Sequence, residues 1–543
     1  MLDRYDELYR SFRWNVPPRY NIARACCGQW AVDRSRFALY WEDESGATAA
    51  YSFWDIQVAA NRLSNALAAL GVKRGDRVAL ILPQRPETAI AYMAIFQMGA
   101  IALPLSHLFG PEALEYRINH AGASVAIVEP TTLANLWAVK DKLPELKHVI
   151  GVAGARETGV HAWEALASKS SSNFTLLDTA ADDPAIIIYT SGTTGAPKGA
   201  LQAHRLVIGN LSGFVHSHDF FPQTGDVFWS PADWAWAGGL FDALLPTWAF
   251  GLPILGYRGR FDAERAYYLL DKYGVRNSFL FPTALKLMMK AVPEPRKRYN
   301  LNLRSVMSAG ESVGVTIIEW AKNELGVTVN EMFGQTEINY VVGNCQAAWP
   351  VKPGSIGRAY PGHRVAVIDD KGQVLPPGEL GEIAIDRKND PVFFLEYWKN
   401  PQATRDKFVG DWGTTGDQGK MDADGYFWYQ GRSDDVIKSA GYRIGPAEIE
   451  SCLVKHRAVM NAAVIGKPDE TRGAIVKAFI VLQPGESPSA ALIEDIQAHV
   501  RARLAPYEYP REIEFIDALP MTTTGKVQRK ELRKREEAKL GKA

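Results

Sequence analysis

The segment at residues 189–199, with the sequence YTSGTTGAPKG, has the groups that a polyphosphate site needs. Its glycines let the backbone amides approach a bound anion, and its hydroxyl groups and Lys198 add hydrogen-bond donors and positive charge. The order differs from GxxxxGK[ST], because Pro197 stands where a Walker A loop has glycine. The segment therefore predicts a phosphate loop of another class than that of P-loop kinases and ATPases. The predicted phosphate-loop residues are Thr190, Ser191, Gly192, Thr193, Thr194, Gly195 and Lys198.

An apolar run at residues 185–189 directly precedes this loop and predicts a strand that is buried on both faces. Strand, loop and helix alternate up to about residue 340, which predicts doubly wound α/β layers. Beyond about residue 350, glycine and proline are frequent and the apolar runs are short. This change predicts a β-rich subdomain over about 350–431.

The C-terminal residues 435–543 read as strands and helices of a small α+β domain. Two adjacent aspartates, at 434 and 435, form a turn that is suited to a hinge. The predicted fold class is thus α/β. It has a large N-terminal domain at 1–431, a hinge at 432–434 and a small mobile α+β lid domain at 435–543.

Composition excludes several classes of protein. A chain of 543 residues needs more than one core. Lys+Arg and Asp+Glu both number 61, so net charge gives no basis for a nucleic-acid partner or an anionic membrane surface. The two most apolar stretches, 89–105 and 237–256, are interrupted by polar or proline residues and predict no membrane span. Four cysteines without CxxC spacing and an N-terminus without a secretion signal indicate the cytoplasm.

Further motifs follow the phosphate loop in a fixed order. They are SAGE at 308–311, MFGQTE at 332–337, TGD at 415–417 with GR at 431–432, and PMTTTGK at 520–526. With these motifs the sequence resembles, over nearly its whole length, the superfamily of adenylate-forming enzymes: acyl-CoA synthetases, luciferases and peptide-synthetase adenylation domains. The opening WNVP at 14–17 and the block at 434–446 most resemble medium-chain acyl-CoA synthetases.

The resemblance implies an AMP-forming acyl-CoA ligase that uses ATP, Mg²⁺ and coenzyme A. ATP and a small carboxylic acid give acyl-AMP and pyrophosphate, and the acyl group then passes to coenzyme A with release of AMP. Charge develops on phosphate oxygens in the first step, so catalysis depends mainly on positioning and electrostatic stabilisation.

The resemblance also assigns residues to the first step. Lys526 is the implied adenylation lysine, Thr336 contacts the α-phosphate, and Glu337 is the implied magnesium ligand, since a hard cation prefers carboxylate oxygen. Asp417 and Arg432 correspond to the ribose-binding pair. The rest of the implied nucleotide site is Gly310, Glu311, Glu331, Met332, Phe333, Gly334 and Gln335.

For the second step, the family rotates its C-terminal domain about a hinge residue that matches Asp434. The resemblance implies that the thiol substrate then lies along the C-terminal domain. The implied coenzyme A contacts are Ala440, Gly441, Tyr442, Arg443, Arg472 and Arg511.

The acyl pocket is expected near Trp234, Trp236, Gly239 and Gly334. Acetate-specific relatives carry tryptophan immediately before the glutamine of the QTE motif, and this chain has Gly334 there. The missing ring is expected to leave room for a short- to medium-chain acid longer than acetate. Medium-chain relatives usually continue QTE with Thr-Gly, whereas this chain has Ile338 and Asn339, so short, branched, medium straight-chain and aromatic acids all remain open.

Other functions are kept as alternatives. An adenylating enzyme could load a carrier-protein thiol, and an aromatic acid-CoA ligase would differ only in its acid. A non-catalytic nucleotide-binding protein should have lost Lys526, Glu337 or Asp417, and nothing in the sequence favours a luciferase-type oxidative enzyme. The segment at 520–526 resembles the one in which related bacterial enzymes are acetylated on the catalytic lysine. The resemblance implies control by a protein acetyltransferase that acts on Lys526 and removes its charge. The oligomeric state, including a homo-oligomer, stays open.

Overall fold

The computed structural model describes residues 3–190, 196–310, 313–432, 435, 437–439, 442–469, 473–504, 508–521 and 527–540. Several residues predicted for the site lie outside these ranges: Ser191, Gly192, Thr193, Thr194, Gly195, Glu311, Asp434, Ala440, Gly441, Arg472 and Lys526. The side chains of Tyr442 and Arg443 lie outside the description as well.

The chain divides into two compact units. The first consists of Met1–Val351, Ala359–His363 and Arg387–Asp406, and the second of Lys352–Arg358, Arg364–Asp386 and Lys407–Ala543. The predicted β-rich subdomain is therefore shared between the two units. The predicted domain boundary at 432–434 stays a prediction, since two of its three residues lie outside the described ranges.

The first unit contains most of the helices and strands. Its α-helices are Tyr5–Ser11, Phe53–Ala69, Pro86–Gln97, Pro111–Ala121, Pro130–Trp137, Trp163–Lys169, Leu206–Ser217, Ala237–Gly239, Leu245–Ala249, Ala263–Lys272, Pro282–Ala291, Val315–Trp320 and Pro401–Asp406. Its strands are Phe37–Asp43, Thr48–Ser52, Arg77–Ile81, Ile101–Pro104, Ala123–Val128, His148–Gly151, Val160–Ala162, Pro184–Thr190, Lys198–Ala203, Phe228–Trp229, Ile254–Arg258, Asn277–Phe279, Ser305–Ala309, Val329–Phe333, Val342–Gly343 and Glu396–Tyr397.

These strands form two sheets with helices between them along the chain, so the predicted α/β fold class is confirmed. In the sheet that carries the phosphate loop, Ile101–Pro104 pairs in parallel with Pro184–Thr190. Lys198–Ala203 pairs antiparallel with Pro184–Thr190, and Glu396–Tyr397 closes that edge. Residues 185–189 are fully buried, as expected of a strand that has cover on both faces.

The helix Phe53–Ala69 shows how local sequence sets an element of this layer. Ser52 accepts from the backbone of Asp55, and the Asp55 side chain accepts from the backbone of Ser52, which is a capping box. Leu63 and Leu67, four residues apart, lie on the buried face. The cap fixes where the helix begins, and the apolar face determines which side packs inward.

The second unit is built mainly of strands. They are Val365–Ile368, Gly381–Asp386, Phe408–Val409, Trp412–Met421, Phe427–Arg432, Ile437–Ser439, Tyr442–Ile444, Val459–Asp469, Gly473–Leu482 and Glu512–Phe515. Its helices are Pro446–Leu453, Ala490–Arg501 and Arg529–Leu540. A core of apolar side chains, among them Ile449, Ile480 and Val500, joins these helices to the C-terminal sheet.

Across the described ranges, no helix combines the length and the apolar character that crossing a bilayer requires. The apolar stretch at 237–256 forms short helical segments, Ala237–Gly239, Leu240–Leu244 and Leu245–Ala249, followed by the start of a strand at Ile254.

Candidate active site

The phosphate hairpin consists of the strands Pro184–Thr190 and Lys198–Ala203. Thr190 lies opposite Lys198 in the register, and its hydroxyl donates to the Lys198 carbonyl over 3.4 Å. The Lys198 ammonium lies 5.2 Å from the centroid of the Tyr397 ring, within range of a cation–π contact. The two ends of the predicted phosphate loop are thus held side by side, with one cation beside them.

A cavity of about 260 Å³ opens next to this hairpin. Tyr116 and His120 line it from one helix, Lys198 from the hairpin, and Trp398 and Asn400 from the segment after the edge strand. Aromatic rings and a cation therefore surround the space at the foot of the phosphate loop.

The turn at residues 335–338 carries two predicted catalytic groups. The backbones of Gln335 and Ile338 donate to each other's carbonyls over 2.9 and 3.1 Å, which makes the turn tight. Gln202, from the phosphate hairpin, donates to the carbonyl of Thr336. The turn is thereby attached to the sheet that carries the phosphate loop.

Glu337 has a fixed orientation within this turn. Its side chain is buried, and its Oε1 accepts a hydrogen bond from the Tyr397 hydroxyl over 2.5 Å. The Phe394 backbone donates to the Glu337 carbonyl over 3.0 Å. Because a bound cation needs oxygen ligands that are already oriented, this arrangement fits the predicted magnesium role.

Two other predicted nucleotide residues have buried side chains. Glu331, on Val329–Phe333, accepts from the backbone of Val313 over 3.0 Å, and burial raises its pKa to about 7. Met332 is buried beside it, whereas Phe333 is half-buried. Gly310 has φ +95°, a conformation that favours glycine. The hydrogen bond between Glu331 and Val313 thus fixes the backbone at Val313 to the strand Val329–Phe333.

In the second unit, Asp417 and Arg432 lie opposite each other on adjacent strands. Asp417 belongs to the strand Trp412–Met421, and Arg432 belongs to the strand Phe427–Arg432. Arg432 Nη1 lies 3.4 Å from Asp417 Oδ1. The Asp417 backbone donates to the Thr415 hydroxyl, which donates in turn to the Ile383 carbonyl over 2.6 Å. The predicted ribose pair is therefore brought together by strand pairing.

The predicted acyl-pocket residues differ in burial. Trp234 is fully buried against Gly256, and its carbonyl accepts from the Tyr92 hydroxyl over 2.7 Å. Trp236 is half-buried and meets the Phe109 ring edge-on at 5.7 Å. Gly239 permits a close backbone approach, because a Cβ there would lie 2.2 Å from the Asp233 carbonyl oxygen.

The backbone at Gly334 is closely packed on the side to which a Cβ would point. A Cβ at this position would lie 2.6 Å from the backbone nitrogen of Tyr340 and 2.8 Å from Oδ1 of Asn339. The place beside Gly334 is occupied by the chain that follows the QTE turn. Glycine is needed there for the close approach, and a substitution to tryptophan would displace the backbone.

Of the implied coenzyme A contacts, Arg511 is the one whose side chain lies within the described ranges. It is exposed, and its guanidinium lies 5.2 Å from the centroid of the Tyr509 ring. The backbones of Tyr442 and Arg443 belong to the strand Tyr442–Ile444, which pairs with Ile437–Ser439.

Tyr397 and Gln202 contact the predicted site residues Glu337 and Thr336, although no sequence motif marks either of them. Tyr397 is separated from Glu337 by 60 positions and lies in a two-residue strand. Asp242 and Asn339 form a further buried pair next to Gly334. The sequence feature that points to this pair is Ile338-Asn339, which stands in place of Thr-Gly after the QTE motif.

Comparisons with known proteins agree with this geometry. The family model described as AMP-binding enzyme matches residues 28–398, and the one described as AMP-binding enzyme C-terminal domain matches residues 448–526. The chain is 38% identical to the uncharacterized acyl–CoA ligase YtcI of Bacillus subtilis, over 96% of this chain and 97% of that protein. It is 34% identical to the mitochondrial acyl-coenzyme A synthetase ACSM3 of Mus musculus, over 98% of this chain and 93% of that protein.

A solved structure of the anthranilate CoA ligase AuaEII, in complex with anthranoyl-AMP, covers 97% of this chain and 99% of its own with a TM-score of 0.87 and 30% identity. The predicted resemblance to adenylate-forming acyl-CoA synthetases is thereby confirmed. The chain belongs to the AMP-binding enzyme family, as an AMP-forming acyl-CoA ligase that uses ATP, Mg²⁺ and coenzyme A.

Proposed function

We propose that this enzyme activates a short- to medium-chain carboxylic acid longer than acetate and transfers it to coenzyme A. The observation that carries the proposal is the buried carboxylate of Glu337, oriented by the Tyr397 hydroxyl, next to a hairpin whose Lys198 ammonium lies over the Tyr397 ring. The length of the acid is inferred from the sequence, since Gly334 stands where acetate-specific relatives carry tryptophan.

In the first step, the carboxylate oxygen of the acid forms a bond to the α-phosphorus of ATP, and the bond to pyrophosphate breaks. Thr190 and Lys198 hold phosphate oxygens, and Thr336 contacts the α-phosphate. Glu337 would hold Mg²⁺, which supplies neutralising charge to the phosphates when bound. Asp417 accepts from the ribose hydroxyls, and its buried position beside Arg432 supports that role.

Lys526 provides the positive charge between the acid and the α-phosphate. Replacing it by alanine should abolish acid-dependent pyrophosphate exchange. Transfer from a synthetic acyl-AMP to coenzyme A should continue, because the second step does not need that amine. Exchange at the wild-type rate in Lys526→Ala would disprove this assignment.

In the second step, the thiolate sulfur attacks the acyl carbonyl, and AMP leaves. Rotation about Asp434 admits coenzyme A in place of Lys526. Ala440, Gly441, Tyr442, Arg443, Arg472 and Arg511 are the proposed contacts with the pantetheine and phosphate groups. The exposed guanidinium of Arg511 supports a phosphate contact.

An aromatic acid is the second candidate substrate. It is favoured by the likeness to the anthranilate CoA ligase, which holds anthranoyl-AMP in its solved structure. A panel of straight-chain and aromatic acids with ATP, Mg²⁺ and coenzyme A, read by AMP formation, separates the two. Turnover of anthranilate or benzoate alone would replace the aliphatic assignment.

We also propose a cytoplasmic location and control by acetylation of Lys526. Acetylation of Lys526 would remove the positive charge that the first step needs. Intact-mass analysis after incubation with a protein acetyltransferase and acetyl donor should show one added acetyl group that Lys526→Ala lacks. Sedimentation of the purified protein tests the homo-oligomer hypothesis.

A further inference from the structure

Asn339 and Asp242 form a buried polar pair, and Asn339 lies beside Gly334, a predicted acyl-pocket residue. The Asn339 side-chain amide donates to Oδ1 of Asp242. The relative exposure of Asn339 is 3% and that of Asp242 is 4%, so solvent does not separate them. Burial raises the pKa of Asp242 to about 8, and the hydrogen bond from Asn339 opposes that shift.

The pair joins the two segments to which the acyl pocket is assigned. Asp242 lies in the π-helical turn Leu240–Leu244, directly after Gly239. Asn339 directly follows the turn that carries Glu337, and its Oδ1 would be 2.8 Å from a Cβ on Gly334. One hydrogen bond thus holds the Asn339 side chain beside Gly334.

The backbone next to Asn339 is also held in an unusual conformation. Tyr340 has φ 54°, which is rare for a bulky residue and indicates strain that the surroundings maintain. Gly213 permits this placement, because a Cβ on it would lie 2.6 Å from Cβ of Tyr340. Asn339 is thereby fixed from both its side chain and its backbone.

We propose that the Asp242–Asn339 pair closes the acyl pocket beside Gly334 and limits the length of the acid that the enzyme accepts. The inference rests on the proposed function, since it concerns the acid that this function activates. It places the preferred substrates at the short end of the aliphatic range. On this proposal, Ile338 and Asn339 after the QTE motif, in place of Thr-Gly, indicate a shortened acyl pocket.

The test compares kcat/KM for butanoate and octanoate in the full-length enzyme, by AMP formation with ATP, Mg²⁺ and coenzyme A. In Asn339→Gly the ratio of octanoate to butanoate should rise by about 10-fold or more, because an added methylene in an apolar pocket changes discrimination by about 10- to 200-fold. Asp242→Ala should shift the ratio in the same direction, since Asn339 loses its partner. Asp242→Asn keeps an acceptor for Asn339 and should leave the ratio unchanged.

Asn210→Ala is the matched control. Asn210 is also a buried asparagine, and its amide donates to the carbonyl of Phe241, the neighbour of Asp242, over 3.3 Å. It should lower activity towards both acids by the same factor. Where Asn339→Gly does not fold, Asn339→Ala carries the same expectation.

An equal loss for both acids in Asn339→Gly and Asn339→Ala would overturn the inference, since the pair would then be structural only. Failure of the proposed function gives a different result. In that case the wild type forms no AMP with any aliphatic acid, before any variant is compared.

Discussion

The hydrogen bond from Tyr397 to Glu337 allows the magnesium role of Glu337 to be tested without changing Glu337. Tyr397→Phe removes the hydroxyl that donates to Oε1 over 2.5 Å and keeps the ring that faces Lys198. A hydrogen bond to a charged acceptor contributes about 1.5–3 kcal/mol. Loss of a group that orients a metal ligand lowers metal affinity by about 10- to 100-fold, which agrees with that energy.

We therefore expect the Mg²⁺ concentration at half-maximal acid-dependent pyrophosphate exchange to rise by about 10- to 100-fold in Tyr397→Phe. The KM for the acid should change little, because the lost hydrogen bond acts on Glu337, the implied magnesium ligand. The measurement is a Mg²⁺ titration of exchange at saturating ATP and acid.

Tyr267→Phe provides the matched control for this prediction. The Tyr267 hydroxyl is buried and donates to the Met288 carbonyl over 3.1 Å, in the core of the same unit. Its loss should lower thermal stability and leave the Mg²⁺ midpoint unchanged. If the Mg²⁺ midpoint of Tyr397→Phe equals that of the wild type, the reasoning is refuted. Tyr397 would then not orient Glu337 as a magnesium ligand.

Two further predictions concern buried charges. Burial raises the pKa of Glu331 from 4.5 to about 7, so its contribution to the free energy of unfolding is greatest below pH 4.5 and falls as pH rises towards 7. Glu331→Gln should therefore gain thermal stability relative to the wild type across that interval, by at most about 3 kcal/mol, in calorimetric scans at several pH values; a constant difference would contradict the cause. The Lys477 ammonium is 2% exposed and lies 2.7–2.8 Å from Glu512, Glu514 and Glu536. Lys477→Met should lower stability at neutral pH by about 3–5 kcal/mol in denaturant titrations, whereas Lys534→Met, at an exposed pair, should have little effect; equal effects would contradict this view.

The position of the strand before the phosphate loop could be predicted from its apolar run, because burial is the main determinant there. The run at 185–189 predicts a strand, and the structure has Pro184–Thr190. Asp417 shows the limit of local reasoning. Its glycine neighbours alone favour a turn, yet it lies within Trp412–Met421, because strands pair with that segment on both sides.

The contacts of Tyr397 and Asn339 could not be predicted from spacing. Each depends on a tertiary approach: Tyr397 reaches Glu337 from 60 positions away, and Asn339 meets Asp242 from 97. The close approach of Tyr340 and Asn339 to Gly334 could not be predicted for a related reason. Glycine can mark an empty space or a close backbone approach, and only the fold distinguishes the two.

The segment Arg387–Asp406 has a consequence for how the first unit can be made. The residues before and after this segment belong to the second unit. The segment itself supplies the strand Glu396–Tyr397, which pairs with the edge of the phosphate hairpin. During synthesis the strand Lys198–Ala203 therefore lacks its outer neighbour until about two hundred further residues have left the ribosome. A fragment that stops at Val351 would expose that unpaired edge permanently, and such edges promote association between chains.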